Sequence, residues 1–191
     1  MTDIRGNFTL GPGSGGRLLL KTGRAGLAAR AGHDLTIEVT RWSAKVTVPG
    51  EDGGGLAAAT VTAELDLGSL AVREGTGGAK ALSDRDRRDI EATAGKILSG
   101  SASYASSRAI PASSGSSAGT IEGTLTLHGR SEPLRLQLDS PAPGRFTGSA
   151  TVRQTAFGIT PYSGFFGTLK LRDEITVQVE ADLNQAARED G

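Results

Sequence analysis

Apolar and polar residues alternate with period two along most of the chain, the signature of strands that bury one face. Leu35, Ile37 and Val39 share one face of a run whose other face is Thr36, Glu38 and Thr40. The phase slips at Arg41, and Trp42, Ala44, Val46 and Val48 carry the apolar face onward. A slip of this kind marks a bulge or a corner, because one extra residue swaps the two faces. Further strands are expected on Val61, Ala63, Leu65 and Leu67, on Ile121, Gly123, Leu125 and Leu127, on Leu134, Leu136 and Leu138, and on Ile175, Val177 and Val179. The second and third of these read as a hairpin with its loop between Leu127 and Leu134. Weaker alternation appears over Ile4 to Leu10, Arg17 to Thr22, Ser101 to Ser107 and Phe146 to Phe157. Loops are expected at the acidic-glycine run Gly50 to Gly55 and at the Ser/Gly stretch Ala112 to Gly119.

One segment changes period. Over about residues 83–99, preceded by Leu82, apolar Ile90, Ala94, Ile97 and Leu98 recur at helical spacing. Ser83 fits the N-cap, Asp84 and Asp86 suit the positive first turn, and Gly100 stands just past the end. The single apolar stripe predicts a helix that lies across the sheet or closes one mouth. Eight or more one-sided strands with one helix predict a single all-β domain over residues 1–191: an antiparallel closed barrel of about eight strands, able to enclose one ligand.

Composition narrows the function. Lys plus Arg and Asp plus Glu are each 21, so the net charge is zero and a nucleic-acid footprint is not expected. Leu, Ile, Val and Phe make up only about a fifth of the 191 residues, while Gly reaches 28, about twice average usage. With no Cys, thiolate nucleophiles, disulfides and Cys metal sites are excluded. His33 and His128 are the only histidines and no third spaced ligand accompanies them, so no metal site is expected. Gly11 to Gly16 lacks the Lys-Ser/Thr ending of a phosphate loop. Asp84 to Asp89 alternates in charge as a solvated helix face does. His33 and Asp34 are neighbours on a strand and point to opposite faces, which disfavours a triad. No enzyme and no cofactor are therefore expected. No apolar leader and no stretch of membrane-spanning length are present, which leads to the expectation of a cytoplasmic protein.

Several motifs resemble the YceI-like family, described as lipocalin-like and polyisoprenoid-binding. They are Ala31-Gly32-His33-Asp34-Leu35-Thr36, the stretch Thr60 to Val72 leading to the helix, Ile121 to Gly129, the element Arg153-Gln154-Thr155-Ala156-Phe157-Gly158-Ile159, and Leu171 to Val179. They fall in the family's order over most of the chain. Near the helix, an Asp-x-Phe-Phe-Asp-like stretch of relatives is replaced by Asp84-Arg85-Asp86-Arg87-Arg88. The resemblance implies a lipocalin-like barrel that binds, sequesters or transports an isoprenoid or other long-chain amphipathic lipid.

The residues offer a basis of their own for that expectation. Phe157, Ile159, Tyr162, Phe165 and Phe166 concentrate scarce large apolar side chains within ten residues. The loop from Ile159 to Gly167 carries three aromatics beside Pro161, Gly164 and Gly167, as a portal or a loop packed over a cavity does. An apolar chain gains about 0.8 kcal/mol per buried methylene. Expected ligand contacts are Leu35, Ile37, Val39, Ile121, Leu125, Phe157 and Ile159 facing inward, with Tyr162, Phe165 and Phe166 at a mouth. His33, where the family pattern has a histidine, and Arg153 are candidates for a headgroup. The alternative is a non-catalytic interaction or stress-response module whose barrel is filled by its own side chains. Edge or mouth pairing offers a route to a homodimer, which the pattern leaves open.

Overall fold

The computed structural model describes residues 4–50 and 55–189. In chain order the strands are β1 (Gly6–Leu10), β2 (Gly16–Lys21), β3 (Arg24–Ala25), β4 (Asp34–Val39), β5 (Trp42–Val48), β6 (Thr60–Asp66) and β7 (Leu70–Thr76). After the helix α1 (Asp84–Ile97) come β8 (Ser101–Pro111), β9 (Gly119–Leu127), β10 (Arg130–Ala142), β11 (Arg145–Arg153), β12 (Ser163–Gly164), β13 (Leu169–Leu171), β14 (Glu174–Asp182) and β15 (Ala187–Glu189). Most of the run Gly50 to Gly55 lies outside the described residues.

The all-β class with one helix holds, but the closed ladder of eight strands does not. Among the described residues, β15-β1-β5-β6-β8-β9-β10-β11-β14-β2-β4-β7 form one open, strongly curled antiparallel sheet of 12 strands, with β15 and β7 at its ends. The reason is that several long strands break at corners. β4 and β5 are separated only by Thr40 and Arg41, and β6 and β7 only by Leu67 to Ser69. The two corners lie side by side, with Val39 opposite Leu70 and Trp42 opposite Leu65. Buried Ser69 pins them: its carbonyl accepts from Thr40 N and Oγ1, both at 2.8 Å, and its Oγ accepts from Arg41 N at 2.9 Å. The slip at Arg41 is thus a corner that turns the sheet through itself. Between β1 and β2 the turn ends at Gly15, at φ +78°, where a Cβ would run into the Asp182 carbonyl.

The β9–β10 hairpin is tighter than expected. Arg130 pairs with Leu127, so the turn is His128-Gly129 alone, with φ of 51° and 71°. Two consecutive positive φ values suit the right-handed twist of the flanking strands. The strand expected through Phe157 stops at Arg153, where Gln154–Phe157 winds into a 3-10 turn ended by left-handed Gly158. A small sheet, β12-β13-β3, lies outside the large one.

Helix α1 starts as its sequence dictates. Ser83 Oγ accepts from Asp86 N, and Asp86 Oδ2 accepts from Ser83 N at 2.9 Å, a complete capping box. That hydrogen bonding holds the Asp86 carboxyl below its usual range. The helix lies against the end strand β7, whose free edge it satisfies with side chains. Val72 N donates to Glu91 Oε1 at 2.8 Å, and Arg87 Nη1 donates to the carbonyls of Val72 and Arg73, both at 3.0 Å. No residue of α1 is fully buried, although its apolar stripe faces the sheet. The space beneath it explains this.

Candidate functional site

The curl of the sheet encloses a cavity of about 730 Å³. Its wall follows from period-two alternation: Leu18 and Leu20 of β2, Leu35 and Ile37 of β4, Ala63 and Leu65 of β6, Leu125 and Leu127 of β9, Leu134 and Leu136 of β10, and Ile175, Val177 and Val179 of β14 all line it. The helix supplies Ile90, Ala94, Ile97 and Leu98. Polar lining is sparse: Thr22, Arg24, His33, Lys80, Asp86 and Tyr162 form a group at one mouth, and Asp89, Thr93 and buried Gln154 also meet the space. No cluster there offers a nucleophile with a base. His33 Nε2 lies 2.6 Å from the Lys80 carbonyl oxygen, while Asp34 Oδ1 accepts from Arg24 N at 2.8 Å, so the adjacent pair is engaged separately.

Deeper in, two polar aromatics line the wall. Tyr104 Oη donates to the Ile121 carbonyl at 3.5 Å. Burial, with the Glu122 carboxylate beside it, pushes the phenol pKa up to about 12. Trp42 Nε1 is buried with no hydrogen-bond partner among the described residues, a costly state for a donor.

The predicted residues divide into three groups. His33, Leu35, Ile37, Leu125, Ile159 and Tyr162 come together on the cavity wall. Val39, Ile121 and Phe157 are buried but are not part of that wall. Val39 is fully covered beside the Thr40 corner. Ile121 packs with Ala109 and Leu138 at the far end of the curl. Phe157 packs with Leu67, Val152 and Ile159 behind the wall. Arg153 and Phe166 stand outside the wall altogether. Arg153 is the last residue of β11 on the outer face, exposed and 3.4 Å from Glu174, so it does not reach the space it was expected to meet. Phe166 is fully exposed, at φ 55° and ψ 35°. The side chain of Phe165 lies outside the described residues. Sequence reasoning missed β2, Trp42, Tyr104 and the small wall residues Ala44, Ala63 and Ala102 as lining groups. Their apolar phase was legible, but which inward positions would meet a gap rather than each other was not.

Comparison with known proteins gives a consistent result. The YceI-like domain family matches residues 24–183. Among solved structures, BcnA of Burkholderia cenocepacia is similar at 16% identity and a TM-score of 0.56, over 86% of this chain and 94% of that one. The YCEI protein of Campylobacter jejuni is similar at 12% identity and a TM-score of 0.52, over 81% and 85%. At these identities the likeness is one of fold. No curated protein matches the chain.

Proposed function

We propose that this chain, which belongs to the YceI-like domain family, binds an isoprenoid or other long-chain amphipathic lipid inside its curled sheet and sequesters or carries it. The observation that carries this reading is the large cavity with a mostly apolar wall and a group of polar side chains at one mouth. Such a space favours a ligand that is mostly hydrocarbon, because each methylene moved from water to the wall contributes about 0.8 kcal/mol. Leu35, Ile37, Leu125 and Ile159 are the proposed contacts for the chain, and His33 and Tyr162 for the end that remains at the mouth. No chemical step is proposed. The engagement of His33 with Lys80 and of Asp34 with Arg24 favours a binding role for this region.

Solvent extraction and native mass spectrometry of the purified protein test the reading. A lipid of defined mass, bound one per chain, is the expected result. A chain that carries no lipid, and takes up none when offered isoprenoid alcohols and fatty acids, would instead favour an interaction module.

A further inference from the structure

Two loops bordering the cavity mouth carry apolar side chains held out in water. Leu27 is 96% exposed and Phe166 is fully so. The loops are neighbours: Ala28 N donates to the Thr168 carbonyl at 3.0 Å, and β3 pairs with β13 through Ala25–Lys170 and Arg24–Leu171. Phe166 has left-handed backbone (φ 55°, ψ 35°), a conformation a bulky L-residue adopts only under strain. Strain that keeps an aromatic ring out of the interior is a mark of use rather than of folding.

The two loop segments themselves carry only basic charges. The segment 17–33 contains Arg17, Lys21, Arg24 and Arg30 and no acid, and the segment 159–172 contains Lys170 and Arg172 and no acid. Arg30, Lys170 and Arg172 are exposed. Arg24 is paired with Asp34 and Arg17 with Glu38, and Asp86 and Asp89 keep their charge on the helix side of the mouth, so the cations that count for this patch are Arg30, Lys170 and Arg172. Exposed apolar tips ringed by basic side chains are the chemistry of a surface that enters the interface of an anionic bilayer.

We infer that the face formed by Leu27, Phe166 and the surrounding basic residues docks on an anionic lipid bilayer, with the cavity mouth turned toward it. The inference rests on the lipid-binding reading for its purpose, since it places the mouth where an apolar chain can pass without crossing water. The docking itself does not depend on that reading.

The test is co-sedimentation with vesicles of phosphatidylcholine alone or mixed with phosphatidylglycerol. The parent protein is expected to bind the mixed vesicles, and raised salt to release it. Leu27→Ser with Phe166→Ser is expected to lower the bound fraction at least about tenfold, and Lys170→Glu about fivefold. Both variants should keep the parent's circular dichroism and its extractable lipid. Equal binding to the two vesicle types, or undiminished binding by both variants, would overturn the inference. So would a concentration-dependent dimer abolished by the same double substitution in a protein that ignores vesicles. Vesicle binding by a protein that yields no lipid would leave the docking face standing and remove the cavity reading instead.

Discussion

The two ends of the curled sheet obey the same alternation and reach opposite results. At the end built from β1, β5 and the segment after β14, the inward residues are large and meet one another. Phe8, Leu10, Ala44 and Leu183 are buried together, with Trp42, Val46 and Phe146 packed against them. Phe146 also packs against the neighbouring group of Ala109, Ile121 and Leu138, so one ring closes two clusters. At the helix end the inward residues are Leu, Ile and Val interspersed with Ala94 and Ala102, and a helix spans them instead of a facing strand. Leu20 and Ile90 pack against the Leu35 cluster, and Ile97 and Leu98 against the Phe157 cluster, yet all of them also face the cavity. Both ends are apolar, so polarity does not separate the filled interior from the hollow one; what differs is that the Phe8, Trp42 and Phe146 rings gather in one cluster at the first.

That contrast can be broken in several ways. The largest effect is expected at the filled end: Phe8→Ala should cost about 3–5 kcal/mol in denaturant unfolding, since neighbours cannot collapse into the space left. At the hollow end Leu20→Ala should cost no more than about 2 kcal/mol, because Leu20 already faces a gap and forfeits fewer contacts. Equal losses at the two sites would mean that the cavity is closed in solution. Ala63→Phe should fill the wall at small cost to stability and reduce extractable lipid about tenfold or more, as native mass spectrometry would read. Ser83→Ala should cost about 1 kcal/mol by removing the cap of the helix over the cavity.

The smallest effect at neutral pH is electrostatic and emerges only in alkali. Because the folded pKa of Tyr104 is raised to about 12 from 10.0, its contribution to stability is complete below pH 10.0 and is lost as pH rises toward the folded value. Tyr104→Phe should abolish that alkaline component in a pH series of unfolding curves. The carboxylates of Asp66, Asp173 and Asp182 behave in the opposite sense. Hydrogen bonds and ion pairs hold Asp66 and Asp173 below the ordinary 3.8, and at Asp182 the opposing desolvation is outweighed by bonds from Asn184 and Gln185 and by Arg145, so their contribution is complete above that value and drains away as acid titrates the folded protein.

Much of the fold was legible because burial on one face leaves a period-two record. β4, β6, β9, β10 and β14 lie where the alternation puts them, and Ser83 was legible as the N-cap of the helix, though not the reciprocal bond from Asp86. The open sheet was not legible. A strand count made from alternation treats each corner as a turn between strands or as a defect within one, and it cannot see that Ser69 ties two corners together. β3, β12 and β13 were missed because two or three residues carry no period. Arg153 illustrates the limit for the site. It alternates with Val152, and period two says only that the two point oppositely. Val152 lines the cavity, so Arg153 had to face outward. The inward–outward phase of β11 contained that answer once one of its residues was fixed.

The bonds between α1 and β7 carry one more consequence. Arg87 and Glu91 occupy backbone groups of an end strand that would otherwise be unpaired. A chain that lifted this helix to admit cargo would, at each cycle, bare a strand border ready to recruit the same border of another copy. An occupant that entered between the loops around Leu27 and Phe166, as the proposed function would have it, would leave that border guarded.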